Sequence, residues 1–227
     1  MNSTAYMLYA IFAVLYFIPS FGLPHKICIP VFILAAFSIG KAPWQITVAL
    51  FLSAMGDLSA SFKGGSVSNQ AMVFQILFFA LGHISYIFYF CIAAFGRKRD
   101  SNKNGLRTCA TLVLCISIFV LILSRIVPCV DERLLKICVT CYSAVIITML
   151  FSALMTRDWI FGLGAALFVT SDFILAWNMF VGDVPGENYL TMISYYVAQA
   201  VIASRAAFPA YPKSSCHKNG NPVSARE

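Results

Sequence analysis

The chain has 227 residues, of which 60% are hydrophobic and 11% charged, with a formal net charge of +7 and a mean hydropathy of +0.81. A soluble domain is about a quarter charged, so this composition excludes one and indicates a multi-pass membrane protein. It also excludes a nucleic-acid binder, because the Lys and Arg residues sit in short loops between apolar runs rather than on one polar face.

A membrane helix needs about 20 mainly apolar residues. Eight runs qualify: 5–22, 27–41, 43–62, 70–95, 107–128, 134–155, 158–180 and 189–208. The first lacks a positive leading region and a small-residue cleavage site, so it is predicted to be a retained span rather than a signal peptide. The second is short and follows Lys26. The third carries Asp57, in "LFLSAMGDLSASF". The fourth carries Gln75, Phe79, His83 and Tyr86, and the fifth has no acidic residue. The sixth holds Tyr142 and the pair Cys138 and Cys141. The seventh holds Ser171, Asp172 and Asn178, and the eighth Tyr195, Tyr196 and Gln199. Turn-forming stretches such as "GLPHK", "KGGS", "GRKRDSNKNG" and "GDVPGEN" separate the runs. The predicted fold class is therefore all-α, an integral membrane bundle of eight transmembrane helices. Residues 1–211 form that domain, and 212–227 read as a polar, disordered tail.

Eight spans place both termini on one side of the membrane. That side carries eleven of the Lys and Arg residues and the other side five, so the positive-inside rule makes the termini cytoplasmic. The Asn2-Ser3-Thr4 sequon points weakly the other way. Most of the eight Cys fall inside apolar runs, which implies no disulfide framework. Cys138 and Cys141 are predicted to pack as small hydrophobes on one helix.

Asp57 and Asp172 are the acidic residues inside the spans, and a carboxylate in hydrocarbon costs several kcal/mol. Asp57 lies 14 residues after Pro43 and Asp172 14 residues after Asp158. Each is thus about 21 Å along a helix that runs outward. The two carboxyls should lie at matched depth, nearer the non-cytoplasmic face. The plain alternative is that each is a hydrogen-bonded packing element beside Ser53, Ser61, Ser171 or a Tyr. His83 and Tyr86 share a helix face, as do Tyr195 and Gln199. A lone His in a span is more often an interhelical hydrogen-bond donor than a metal ligand.

A carboxyl pair in a low-dielectric pocket can work as general acid and general base. Glycosidases use such a pair to pass through an oxocarbenium-like state. The sequence has no nucleophile elbow, no HExxH zinc motif and no phosphate loop, and it implies no metal or cofactor.

Four stretches together resemble the YhhN-type lysoplasmalogenase family. "SAMGDLSASF" supplies Gly56-Asp57, and "FALGHISY" supplies Phe79, His83 and Tyr86. "GAALFVTSDFILAWNMF" supplies Gly164, Phe168, Ser171, Asp172 and Phe180, and "ISYYVAQAVIAS" supplies Tyr195, Tyr196 and Gln199. The resemblance covers nearly the whole chain. It departs from the family pattern at Lys26, four residues before Pro30, at Gln75 in place of a Gly, and at Asn178 where some relatives carry a carboxylate.

The resemblance implies hydrolysis of the vinyl ether bond of lysoplasmalogens, giving a fatty aldehyde and glycerophosphocholine or glycerophosphoethanolamine. Asp57 and Asp172 would share the acid and base roles. Lys26, His83, Tyr86, Tyr142, Ser171, Asn178, Tyr195 and Gln199 would bind or orient substrate, with Lys26 on the phosphate. The implied partners are a lysophospholipid and the bilayer, and a homodimer is one possible assembly. The implied membrane is the endoplasmic reticulum in a eukaryote or the inner membrane in a bacterium. The competing reading is a proton-coupled carrier using the same Asp pair. "LFLSAMGD" beside "ALFVTSD" hints at a four-plus-four repeat, although Gly/Pro-broken helices at matching positions are missing. A ligand-binding receptor is a third reading.

Overall fold

The computed structural model describes residues 3–18, 26–61, 69–95 and 101–208. The predicted tail and the basic stretch 96–100 lie outside them. The described residues are all-helical: α1 (Ser3–Tyr16), α2 (Ile29–Ser38), α3 (Trp44–Ser61), α4 (Asn69–Phe95), α5 (Ser101–Arg125), α6 (Arg133–Met155), α7 (Trp159–Phe180) and α8 (Glu187–Ala207), with a short 3₁₀ turn at Val127–Cys129 after α5.

Among the described residues, four stretches are long and apolar enough to cross a membrane: Gln70–Phe95, Gly105–Cys129, Arg133–Met155 and Trp159–Phe180. Together they define an integral membrane protein. α1 has 14 residues and α2 has 10, so at 1.5 Å per residue they rise only about 21 and 15 Å. Both fall short of the spans predicted for 5–22 and 27–41. α2 carries Pro30 in its first turn, where no intrahelical N–H is needed, and it ends before Gly40, whose φ of 72° takes the left-handed turn. Pro128 lacks the N–H an α-helix needs, so α5 closes in the 3₁₀ turn rather than running to 128.

The burial pattern agrees with a bilayer as solvent. On α4, Phe74, Leu77, Leu81, Phe88, Ile92 and Phe95 face outward, while Met72, Tyr86 and Phe90 are buried on the opposite stripe. Large apolar side chains on an outer surface are costly in water and at home in lipid.

The centre of the bundle is built from α3, α4, α6, α7 and α8. α3 packs along α4, α7 along α8, and α4 against α6; α2 bridges α3 and α8, and α5 lies outside on α6. Small residues allow the close approaches. A Cβ on Gly56 would stand 2.8 Å from the Phe79 ring, and one on Gly164 would stand 2.6 Å from Ile202 Cγ1. Cys91, Cys109, Cys115, Cys129, Cys138 and Cys141 are free thiols.

Candidate active site

Asp57 and Asp172 line one cavity of about 250 Å³. Its walls come from the C-terminal ends of α1, α3, α5 and α7 and the N-terminal ends of α4, α6 and α8. These ends lie at one end of the bundle, as the matched depth of the two Asp requires. The lining is largely apolar, with Ile76, Ile146, Val169, Leu175 and Met179 among the walls.

Helical periodicity sets each polar group. On α3, Ser53, Gly56, Asp57 and Ala60 share a face. On α4, Gln75, Phe79, His83 and Tyr86 follow one another at steps of three or four, and on α8 so do Thr191, Tyr195 and Gln199. Asp57 is 3% exposed. Its Oδ2 accepts from the Tyr195 hydroxyl at 2.8 Å. Asp172 accepts from the Tyr142 hydroxyl. The Tyr142 oxygen also lies 3.0 Å from His83 Nε2. A phenol has one proton, so when Tyr142 donates to Asp172, the His83 Nε2–H is the donor to Tyr142. His83 Nδ1 has no partner among the described residues.

An aromatic wedge fills the space between the two pairs. Phe168 contacts His83 edge-on, with centroids 4.6 Å apart, and contacts Tyr195 edge-on at 5.3 Å. Phe79 closes against both Phe168 and Tyr195. Gly56 is what lets the Phe79 ring reach this position.

The predicted site residues thus divide. Asp57, Asp172, Tyr142, Ser171 and Tyr195 line the cavity. Ser171 also ties α7 to α8, donating to the Thr191 carbonyl at 2.9 Å. His83 stands behind Tyr142. Tyr86 and Gln199 form a deeper bridge, the Tyr86 hydroxyl donating to Gln199 Oε1 at 2.6 Å. Asn178 is occupied in the α7–α8 turn, where its Oδ1 accepts from the Val184 N–H at 2.8 Å. Lys26 lies at the rim, with Nζ 5.6 Å from the Tyr16 ring centroid and 3.4 Å from the Ile18 carbonyl oxygen.

Sequence reasoning missed Tyr16, Ser143, Glu187, Asn188 and Thr191, all of which line the cavity. Tyr16 was hidden in an apolar run and Glu187 in a turn. Thr191 carried a usable signal, since it lies one turn before Tyr195. Thr191 Oγ1 and Gln75 Oε1 are buried in the cavity wall with no partner among the described residues. Such atoms cost about 1–3 kcal/mol each unless something satisfies them.

A helical membrane protein with two tyrosine-held carboxyls facing one apolar cavity belongs to the class that can carry proton chemistry away from bulk water. The YhhN family model matches residues 5–206, and the chain belongs to the YhhN family. It is similar to the rat protein "Lysoplasmalogenase TMEM86B", with 27% identity over 79% of this chain and 69% of that one. The pig protein of the same name is 30% identical over 78% of this chain and 71% of its own. Human "Lysoplasmalogenase TMEM86A" is 29% identical over 79% and 75%. No solved structure matches the chain.

Proposed function

We propose that this protein is a lysoplasmalogenase, an alkenyl ether hydrolase that uses Asp57 and Asp172 as an acid–base pair. The observation that carries the reading is the convergence of both carboxyls on one apolar cavity, each held by its own tyrosine hydroxyl. Membership of the YhhN family and relatives named lysoplasmalogenases support it.

The chemistry needs one acid and one base. A carboxylic acid protonates the β-carbon of the vinyl ether, and the ether oxygen stabilises the oxocarbenium ion that forms. Water adds to the cationic carbon, and the carboxylate of the pair takes the proton that water releases. The hemiacetal then collapses to a fatty aldehyde and the free glycerol hydroxyl. The proton given in the first step is restored in the second, so one water is consumed and the pair is regenerated. The two carboxyls act as one coupled unit.

Tyr142 and Tyr195 fix the carboxyl orientations, with His83 buttressing Tyr142. Gln75 and Thr191 are placed to satisfy the glycerol hydroxyl or the attacking water. The alkenyl chain lies along Ile76, Ile146 and Val169. Exclusion of bulk water by these walls protects the cation until the bound water reaches it. All eight helices sit in the bilayer region, with α1 and α2 as short members and the termini cytoplasmic. The cavity then opens toward the opposite side.

The test is aldehyde release from lysoplasmenylethanolamine and lysoplasmenylcholine by purified protein in detergent. Wild type should turn over, while Asp57→Asn and Asp172→Asn, eluting as monodisperse peaks, should lose at least about 100-fold. Intact wild type that releases no aldehyde from either lipid would sink the reading in favour of a carrier, which binds without breaking a bond. The placement of one Asp in each of the packed pairs α3–α4 and α7–α8 is what keeps that second reading in view.

A further inference from the structure

The rim of the cavity carries two charges that the proton chemistry does not use. Glu187, the first residue of α8, lines the cavity and is half-buried. Lys26 is half-buried beside Tyr16, which also lines the cavity. Among the described residues neither forms an ion pair, and no ion pair joins them to each other. Partly desolvated charges are normally paired, so two unpaired charges of opposite sign at one opening point to a ligand that carries both signs.

Tyr16 fixes the geometry between them. Its hydroxyl donates to Asn188 Oδ1 at 2.6 Å, next in the chain to Glu187. Its ring lies 5.6 Å from Lys26 Nζ. The rim is therefore a short row of Lys26, Tyr16, Asn188 and Glu187, positive at one end and negative at the other. Lys26 spends one donor on the Ile18 carbonyl, at 3.4 Å, which leaves ammonium hydrogens for a phosphate.

We propose that this row is a head-group site that selects a zwitterionic phosphoethanolamine over phosphocholine, with Lys26 on the phosphate and Glu187 on the primary ammonium. The proposal rests on the lysoplasmalogenase reading for the lipid class and adds the head group. The selection follows from donor chemistry. A primary ammonium offers three N–H donors to the Glu187 carboxylate, and charge-assisted hydrogen bonds are the strong ones. A trimethylammonium offers none. Its usual alternative is an aromatic face, but Lys26 already stands over the Tyr16 ring.

Binding is measured separately from catalysis, by calorimetry in detergent. The probes are saturated 1-O-alkyl lysophospholipids, which have no vinyl ether to cleave, bearing either ethanolamine or choline. Wild type should bind the ethanolamine lipid at least about tenfold more tightly, the ratio expected from hydrogen bonds to a charged group. Glu187→Gln should weaken both lipids and shrink that ratio to near one. Lys26→Met should weaken both by a similar factor and preserve it. A wild-type ratio of one, or a ratio that survives Glu187→Gln, overturns the head-group assignment whether or not the protein turns over lysoplasmalogens. Selective binding without aldehyde release leaves the head-group site standing and removes the hydrolase reading.

Discussion

The two carboxyls of the cavity are held in different ways. Asp57 takes its hydrogen bond from Tyr195, whose ring is boxed by Phe79 and Phe168. Asp172 takes its bond from Tyr142, and that hydroxyl continues to His83. The tyrosine on Asp57 is thus braced by an aromatic wall, whereas the one on Asp172 leads along a chain of polar atoms from α7 through α6 to α4. The first arrangement fixes a geometry. The second also joins Asp172, through the Tyr142 hydroxyl, to a second titratable side chain.

Mutations can break this contrast. The largest loss of activity, at least about 100-fold, is expected for Asp57→Asn and Asp172→Asn, because each removes a member of the proposed acid–base pair; aldehyde release per monodisperse protein measures it. Tyr142→Phe comes next, at about tenfold or more in kcat. It deprives two buried groups, Asp172 and His83, of a partner, and unsatisfied buried groups cost about 1–3 kcal/mol each. Its Tm should fall accordingly. Tyr195→Phe removes a bond to Asp57 while leaving the ring in its aromatic box, so kcat should fall only severalfold and Tm less than for Tyr142→Phe. If the two Phe variants behave alike in both readouts, the contrast between the carboxyls has no functional content.

The smallest effect on activity is expected at the other end of the bundle. Asp158 caps α7, accepting from the Ile160 N–H, and pairs with Arg205 at 2.6 Å. Asp158→Asn keeps a good cap but leaves Arg205 without its carboxylate. Tm should drop while kcat per folded molecule stays at the wild-type value, because this end holds none of the cavity walls.

Much of this was legible from the chain. The four long apolar stretches and the all-helical class follow from hydropathy, which each segment carries by itself. The two Asp were legible because a carboxyl inside an apolar run is costly wherever the run ends up. Their shared cavity agrees with the depth arithmetic. Asn178 was read as a substrate residue from its place in a motif, but the α7–α8 turn claims its side chain. α1 and α2 proved shorter than their apolar runs, since apolarity does not say where a helix stops.

What the sequence by itself determined is the list of chemical groups and the helix face each occupies, because a period of 3.6 residues is a local rule. Only the tertiary structure decided which groups meet. Asp57 and Tyr195 are 138 positions apart, Tyr86 and Gln199 are 113 apart, and Tyr16 and Asn188 are 172 apart. Such pairings depend on how each helix is rotated and tilted against its neighbours. That is set by the close contacts at residues such as Gly56 and Gly164, where the absence of a side chain lets one helix settle into another. The row of charges at the rim has the same origin: Lys26, Tyr16 and Glu187 come from three separate segments, and packing alone brings them to one opening.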